Sequence, residues 1–144
     1  MRNKILLGDE AVAFGAIDAG LSAAYAYPGT PSTEIMECLQ QQAASHHKHM
    51  VAKWCSNEKT AYEAALGVSM SGKRALVAMK HVGLNVAADP FMNSAILKIN
   101  GGLVVVVADD PGMHSSQNEQ DSRTMRHLLR SFVLNRVTNK KRMI

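Results

Sequence analysis

Four short segments concentrate the side chains able to do chemistry, and each follows an apolar run. They are Tyr27-Pro28-Gly29-Thr30-Pro31-Ser32, Cys55-Ser56-Asn57-Glu58, Lys80-His81-Val82-Gly83-Leu84-Asn85, and the stretch from Asp109-Asp110 through His114 to Asn118. Glu58 stands out, because a carboxylate in the first turn of a helix that directly follows a buried strand can be held facing a cleft. The helix dipole alone also favours an acid at that position, so a purely structural role stays open. Asp109 and Asp110 could hold a divalent ion. No phosphate-binding element accompanies them, since neither Gly8-Asp9-Glu10 nor Asn100-Gly101-Gly102 matches a Walker or dinucleotide fingerprint. His114, Ser115, Ser116 and Asp121 are the ingredients of a nucleophile triad, yet they lie close together along one loop. His46-His47-Lys48-His49 falls at a helix end with no acid or cysteine at ligand spacing, which favours a solvated terminus that complements the dipole. No metal-binding residue is expected.

These segments need a scaffold that brings them to one place. Apolar residues at helical spacing predict a helix over Gly8–Ala19, with Asp9 able to cap it and Gly20 able to stop it. Ser22–Tyr27 reads as a short buried strand, followed by a helix capped by Thr30, with Pro31 at its first position, running to about Ser45. Met50–Trp54 is the next strand, and a helix from Asn57 to about Ser71-Gly72 follows. Ala75–Met79 is a third strand, and Leu84 to about Leu97 a helix interrupted near Pro90. Leu103–Ala108 is the most apolar strand of all. Apolar strands alternating with helices predict an α/β fold: a parallel sheet with right-handed connections and helices on both faces. All four chemistry-bearing segments follow strands, so they share the rim at the strand C-termini, where such sheets bind ligands.

The 144-residue chain, 47% hydrophobic and 19% charged, has the size and balance of one domain. Cys38 and Cys55 stand apart in non-motif surroundings and read as two reduced thiols. The net charge of +4 is uneven: up to Arg123 there are ten bases against twelve acids, and six further bases follow. The basicity therefore belongs to a terminal run, and no nucleic-acid partner is expected. The run Leu103–Ala108 is far shorter than the roughly 18 residues that span a bilayer, and the start lacks a signal peptide's apolar stretch. The expectation is a cytoplasmic protein with no membrane partner.

At the four rim segments the sequence resembles the N-terminal pyrimidine-binding domain of the indolepyruvate ferredoxin oxidoreductase alpha subunit, one of the thiamine-diphosphate-dependent 2-oxoacid:ferredoxin oxidoreductases. The residues that carry the resemblance are Tyr27–Ser32, Ser56–Lys59, Met79–Pro90, and Val107–Pro111 with His114–Arg123. It covers roughly residues 4–123. The resemblance implies that Glu58 hydrogen-bonds the aminopyrimidine ring of thiamine diphosphate and so assists removal of the thiazolium C2 proton. It implies that Thr30 touches the substrate carboxylate and that Lys80, His81, Gly83 and Asn85 line the cofactor pocket, His81 also meeting substrate. His114, Gln117 and Arg123 lie on a loop that could reach the same mouth. The implied reaction is oxidative decarboxylation of an aryl pyruvate such as indolepyruvate, with coenzyme A taking the acyl group and ferredoxin the electrons.

The family's fuller subunit also has a diphosphate-binding domain that holds Mg²⁺ and a cysteine-rich terminus for 4Fe-4S clusters, and it works with a beta subunit. Two cysteines cannot supply the four thiolates of such a cluster, so this sequence reads as a C-terminally incomplete copy, inactive alone. Residues 124–144 depart from the family pattern and are expected to be an aberrant basic tail. One coding of the family-like continuation Glu-Pro-Ser-Asn-Gln-Gln-Glu-Ala-Tyr-Asp, read one base later, yields Asn135–Ile144, which points to a shifted or truncated frame. Two other classes stay open: the pyrimidine-domain subunit of a thiamine-dependent 2-oxoacid decarboxylase, and a non-catalytic interaction module.

Overall fold

The structure is a computed structural model and describes residues 5–125. The expected tail lies outside the described residues from position 126 onward. The elements are α1 (Gly8–Asp18), β1 (Ala23–Ala26), α2 (Thr33–Ser45), β2 (Val51–Trp54), α3 (Glu58–Met70), β3 (Arg74–Lys80), α4 (His81–Val86), α5 (Ala88–Ser94) and β4 (Gly102–Ala108), then a 3₁₀ turn at Ser122–Met125. The four strands form one all-parallel sheet in the order β2-β1-β3-β4.

β3 is the centre of the domain, and its alternating side chains serve two cores. Ala75, Val77 and Met79 pack with Ala61, Tyr62 and Ala65 of α3, Leu84 of α4 and Phe91 of α5. Leu76 and Ala78 face the other way, against Ala13 of α1 and Ile35, Met36 and Leu39 of α2. Helices thus cover both faces, as expected. Tyr62 also meets Phe91 edge to face at 6.1 Å between ring centres, and its hydroxyl hydrogen-bonds Ser94 at 2.8 Å.

The order of the strands changes the reading of the most apolar one. β4 is an edge strand among the described residues, with Val104 55% exposed, whereas Ala75 to Met79 of β3 are fully buried. Apolarity ranked β4 first, but a strand is buried by having neighbours, and β3 has two. An edge of bare valines invites self-association. The chain is expected to associate as its concentration rises, and Val104→Lys to reduce this in light scattering; a monodisperse parent at high concentration would contradict it.

Three element ends differ from expectation. Asp9 lies inside the first turn of α1, and that terminus is closed by Glu10, whose carboxylate accepts the Leu7 N–H at 2.8 Å. Thr30 does not cap α2, which begins at Thr33. The Gly29 carbonyl accepts from both the N–H and the hydroxyl of Ser32, at 2.9 and 2.8 Å, and the Gly29 N–H donates to Thr33 Oγ1 at 3.0 Å. These bonds close residues 29–32 into a turn of their own. The helix after β3 starts at His81 and breaks at Ala87, with Pro90 inside the first turn of α5. Proline is tolerated there because first-turn N–H groups have no partner within the helix.

Candidate functional site

α3 carries Glu58 inward for a reason visible in its spacing. Ala61, Tyr62, Ala65, Leu66 and Ser69 form its buried stripe, and Glu58 begins that stripe one turn earlier. Asn57 fixes the start of the helix: its side-chain oxygen accepts the Thr60 N–H at 2.8 Å, and Thr60 Oγ1 accepts the Asn57 N–H at 3.3 Å. Such a cap contributes about 1 kcal/mol. Glu58 is 8% exposed, and no described residue hydrogen-bonds its carboxylate. It rests on Gly83 of α4, where an added Cβ would sit 2.6 Å from Oε1 and 2.7 Å from Cγ. Gly83 therefore leaves the space that Glu58 fills.

The other rim segments converge on the same end of the sheet. Lys80 Nζ donates to the Ser115 carbonyl at 3.0 Å, and its stem lies against Gly29. Ser115 Oγ reaches the Thr30 carbonyl at 3.4 Å, which ties the segment after β4 to the one after β1. His81 is fully buried, with Nε2 3.0 Å from the Asn118 carbonyl and 3.1 Å from Asn118 Oδ1. A carbonyl only accepts, so Nε2 carries a proton. Nδ1 is buried without a partner among the described residues. Asn85 is exposed and donates to Gln120 Oε1 at 2.9 Å.

The fold thus gathers Thr30, Glu58, Lys80, His81, Gly83 and Asn85. His114 and Gln117 are exposed on the loop after β4, and Arg123 is exposed and paired with Asp121, Nε to Oδ1 at 2.7 Å. Ser115, weighed in the sequence only as a nucleophile, and Asn118 and Gln120, given no role there, supply the bonds that hold the loop down. Side chains with both a donor and an acceptor, clustered just beyond the last strand, were the available signal.

Asp110 organises that loop. Oδ1 accepts the His114 N–H at 3.3 Å, while Oδ2 accepts the Ser115 N–H, the Ser115 hydroxyl and the Ser116 hydroxyl at 2.8, 3.1 and 2.9 Å. Gly112 and Met113, both left-handed at φ of 84° and 56°, turn the chain so that these donors face back. The bond from the Ser115 N–H, then that from the Ser116 hydroxyl, hold the Asp110 carboxyl down at about 2. Two alternatives lose their footing here. Asp110 is saturated by loop donors rather than open to a divalent ion, and the two serine hydroxyls are engaged with it rather than with His114.

The depressed carboxyl sets a pH dependence. A group whose folded value lies below its unfolded 3.8 stabilises fully above 3.8, and that contribution is lost as pH falls through about 2. Asp110→Asn is therefore expected to lower the urea midpoint most at neutral pH. The gap from the parent should narrow steadily between about pH 4 and 2.

Burial pushes both the Cys38 and Cys55 thiols up, which makes them poor nucleophiles. Among the described residues no three His, Cys, Asp or Glu side chains are placed to share a metal, and no helix is long and apolar enough to cross a membrane. A polar cleft of about 490 Å³ opens at the opposite rim, between Ser22, Lys73, Arg74 and Asn100. Backbone N–H groups there are already committed, Ser22 to the Arg74 carbonyl and Gly102 to that of Lys73.

Comparison with known proteins bears on this rim. The chain is 53% identical over 120 residues to indolepyruvate oxidoreductase subunit IorA of Archaeoglobus fulgidus, a match that covers 82% of this chain and 19% of that protein. It is 51% identical over 121 residues to the subunit of the same name from Pyrococcus horikoshii, covering 84% and 18%. The chain thus spans about a fifth of the length of the curated relatives it matches. A solved 2-oxoglutarate:ferredoxin oxidoreductase from Magnetococcus marinus, with 2-oxoglutarate, coenzyme A and succinyl-CoA bound, shares the fold. Its TM-score is 0.68 at 23% identity, over 83% of this chain and 21% of that one. The family model for the pyruvate flavodoxin/ferredoxin oxidoreductase thiamine diphosphate-binding domain matches residues 14–126, a span that takes in the whole sheet and all four rim segments. The chain belongs to that family.

Proposed function

We propose that this chain supplies the pyrimidine-binding half of a thiamine diphosphate site in an indolepyruvate-type 2-oxoacid:ferredoxin oxidoreductase. The observation that carries the reading is Glu58: a sheltered carboxylate, unpartnered among the described residues, seated on the one glycine that leaves room for it. Sheltered yet still reachable, the carboxylate needs only a ligand's donor to fix it in place. An aminopyrimidine ring, with a nitrogen that can share a proton and a flat apolar body, fits that need.

Bound thiamine diphosphate supplies the electron sink for decarboxylation of a 2-oxo acid. Glu58 would hold the pyrimidine nitrogen and share its proton, a positioned acid-base partner of the kind worth roughly 10²–10⁴ in rate. Gly83 keeps the floor beneath it open. Thr30 and Lys80, joined through Ser115, form the wall nearest the mouth, where the ammonium suits a 2-oxo acid carboxylate. Asn85 borders the cofactor side. The diphosphate with its Mg²⁺, the 4Fe-4S clusters, and docking of coenzyme A and ferredoxin fall to a diphosphate-binding domain, a cluster-bearing segment and a beta subunit. An aryl pyruvate is the substrate class, supported by the names of the curated relatives.

The family match runs to position 126 and Met125 packs against the core beneath α3, so in our reading a tail from a shifted frame begins after that point and not at 124. Sequencing the gene from the Arg123 codon in every frame is expected to reveal Glu-Pro-Ser and a Gly-Asp-Gly segment in another frame. An uninterrupted stop with no such frame would instead make the chain a free-standing subunit. The binding claim is tested by calorimetric titration of thiamine diphosphate and Mg²⁺ into this chain with and without a diphosphate-binding partner domain. Binding only to the pair, abolished by Glu58→Ala, is expected. No binding to the pair would favour a non-catalytic module, and aldehyde release without an electron acceptor would favour a decarboxylase.

A further inference from the structure

We propose that Asn118 and Gln120, on the loop after β4, are positioning residues that aim the Glu58 carboxylate through His81 and α4. The inference rests on the proton-sharing role of Glu58 proposed above. Its starting point is that α4 is only six residues long, too short to hold a place by its own hydrogen bonds. Something else must fix it, and both of its ends are held by the same three-residue stretch. At the start, the buried His81 ring donates from Nε2 to the Asn118 carbonyl at 3.0 Å, with Asn118 Oδ1 at 3.1 Å. The His81 carbonyl receives the Gln120 side-chain N–H at 3.5 Å. Near the far end, Asn85 donates to Gln120 Oε1 at 2.9 Å.

Gly83 sits between these two clamps, and it is the surface on which Glu58 rests. A shift of α4 therefore moves the floor under the carboxylate, in a contact where a single carbon would already collide. His81 suits the part of a spacer. It is fully buried, its Nε2 is committed to a backbone carbonyl, and its Nδ1 meets nothing among the described residues. The resemblance implies that this ring lines the cofactor pocket and meets substrate; its bonds to Asn118 give it a part in holding α4 as well.

Two measurements test the proposal. In this chain, without cofactor, Gln120→Leu and His81→Leu are expected to speed exchange of the Ala87 amide, which bonds the Gly83 carbonyl at 2.9 Å, by at least about tenfold. His81→Gln, which restores a donor near the Nε2 position, should return most of the protection. In the assembled, cofactor-loaded enzyme Gln120→Leu is expected to slow exchange of the thiamine C2 proton by about 10–10²-fold, the scale of a misplaced group, with KM for the 2-oxo acid unchanged, and His81→Leu to slow that exchange at least as much. Should His81→Leu fail to fold by circular dichroism, the partly exposed Gln120 carries the test. Faster Ala87 exchange with C2 exchange equal to the parent overturns the positioning role while leaving Glu58 its own. Unchanged Ala87 exchange overturns the clamp itself. Normal C2 exchange in Glu58→Gln overturns both the proposed function and this inference.

Discussion

Replacing Glu58 by glutamine in the assembled enzyme is expected to slow thiamine C2 proton exchange and acceptor reduction together, by roughly 10²–10⁴-fold. Glutamine matches glutamate in size, so it keeps the packing against Gly83 while removing the shared proton. The urea midpoint of the variant should stay close to that of the parent, because the carboxylate has no described hydrogen bond to lose. Near-normal rates in both assays would strip Glu58 of its role. Gly83→Ala approaches the same contact from the other side. Its added carbon would stand 2.6 Å from Oε1 and 2.9 Å from Cδ, so the glutamate must swing away. Loss of C2 exchange in a variant whose side chain at 58 is untouched would tie the chemistry to the placement of that carboxylate and not only to its presence.

The largest effect on folding is expected at Gly101. A Cβ there would lie 2.0 Å from the Lys73 carbonyl oxygen and 2.7 Å from the Lys73 nitrogen, both backbone atoms of the segment that leads into β3. Backbone cannot rotate aside as a side chain does. The contact is close because the Gly101 N–H reaches the Ser69 carbonyl at 2.9 Å and the Gly102 N–H reaches that of Lys73 at 3.2 Å, which seats the start of β4. Gly101→Ala should destabilise by 1–3 kcal/mol or more, the range for overpacking a filled site. Gly67→Ala is the matched control. That position lies on the exposed side of α3 with nothing within 4 Å, and alanine there should stabilise by about 0.5–1 kcal/mol. Opposite shifts in the urea midpoint are the expected result; a shift at Gly101 equal to that at Gly67 would mean that the approach of the two backbones does not govern the site.

Much of the architecture could be read in advance because the sheet is parallel. Its strands must be joined by helices, so the pattern of apolar runs and amphipathic stretches yields element order, and the strand C-termini yield the rim. Sequence could not rank the strands by burial. The valines of β4 and the mixed residues of β3 differ in apolarity in one sense and in number of neighbours in the other, and neighbour number is set by contacts between distant segments. Residues 29–32 escaped for a local reason: Ser32 and Thr33 bond back to Gly29, and these side-chain bonds outcompete a helix start at Thr30. The predicted helix starts at Leu84, which leaves Gly83 just before it. Gly83 lies inside a helix, and the reason is a carboxylate 25 positions earlier. The inward aim of Glu58 was there to be found, in the stripe it shares with Ala61, Ala65 and Ser69.

The alternation along β3 gives the domain a division of labour. Leu76 and Ala78 belong to the core beneath α1 and α2, and Ala75, Val77 and Met79 to the core beneath α3, α4 and α5. Only backbone separates the two, and the Glu58 carboxylate with its glycine floor belongs to α3 and α4, on the second. Exchanges among Ala13, Ile35, Met36 and Leu39 meet no atom of that floor, so their energies should add to those of changes around Glu58 instead of compounding them. Substitutions on the first face are therefore expected to change stability while the Glu58–Gly83 contact on the opposite face keeps its register.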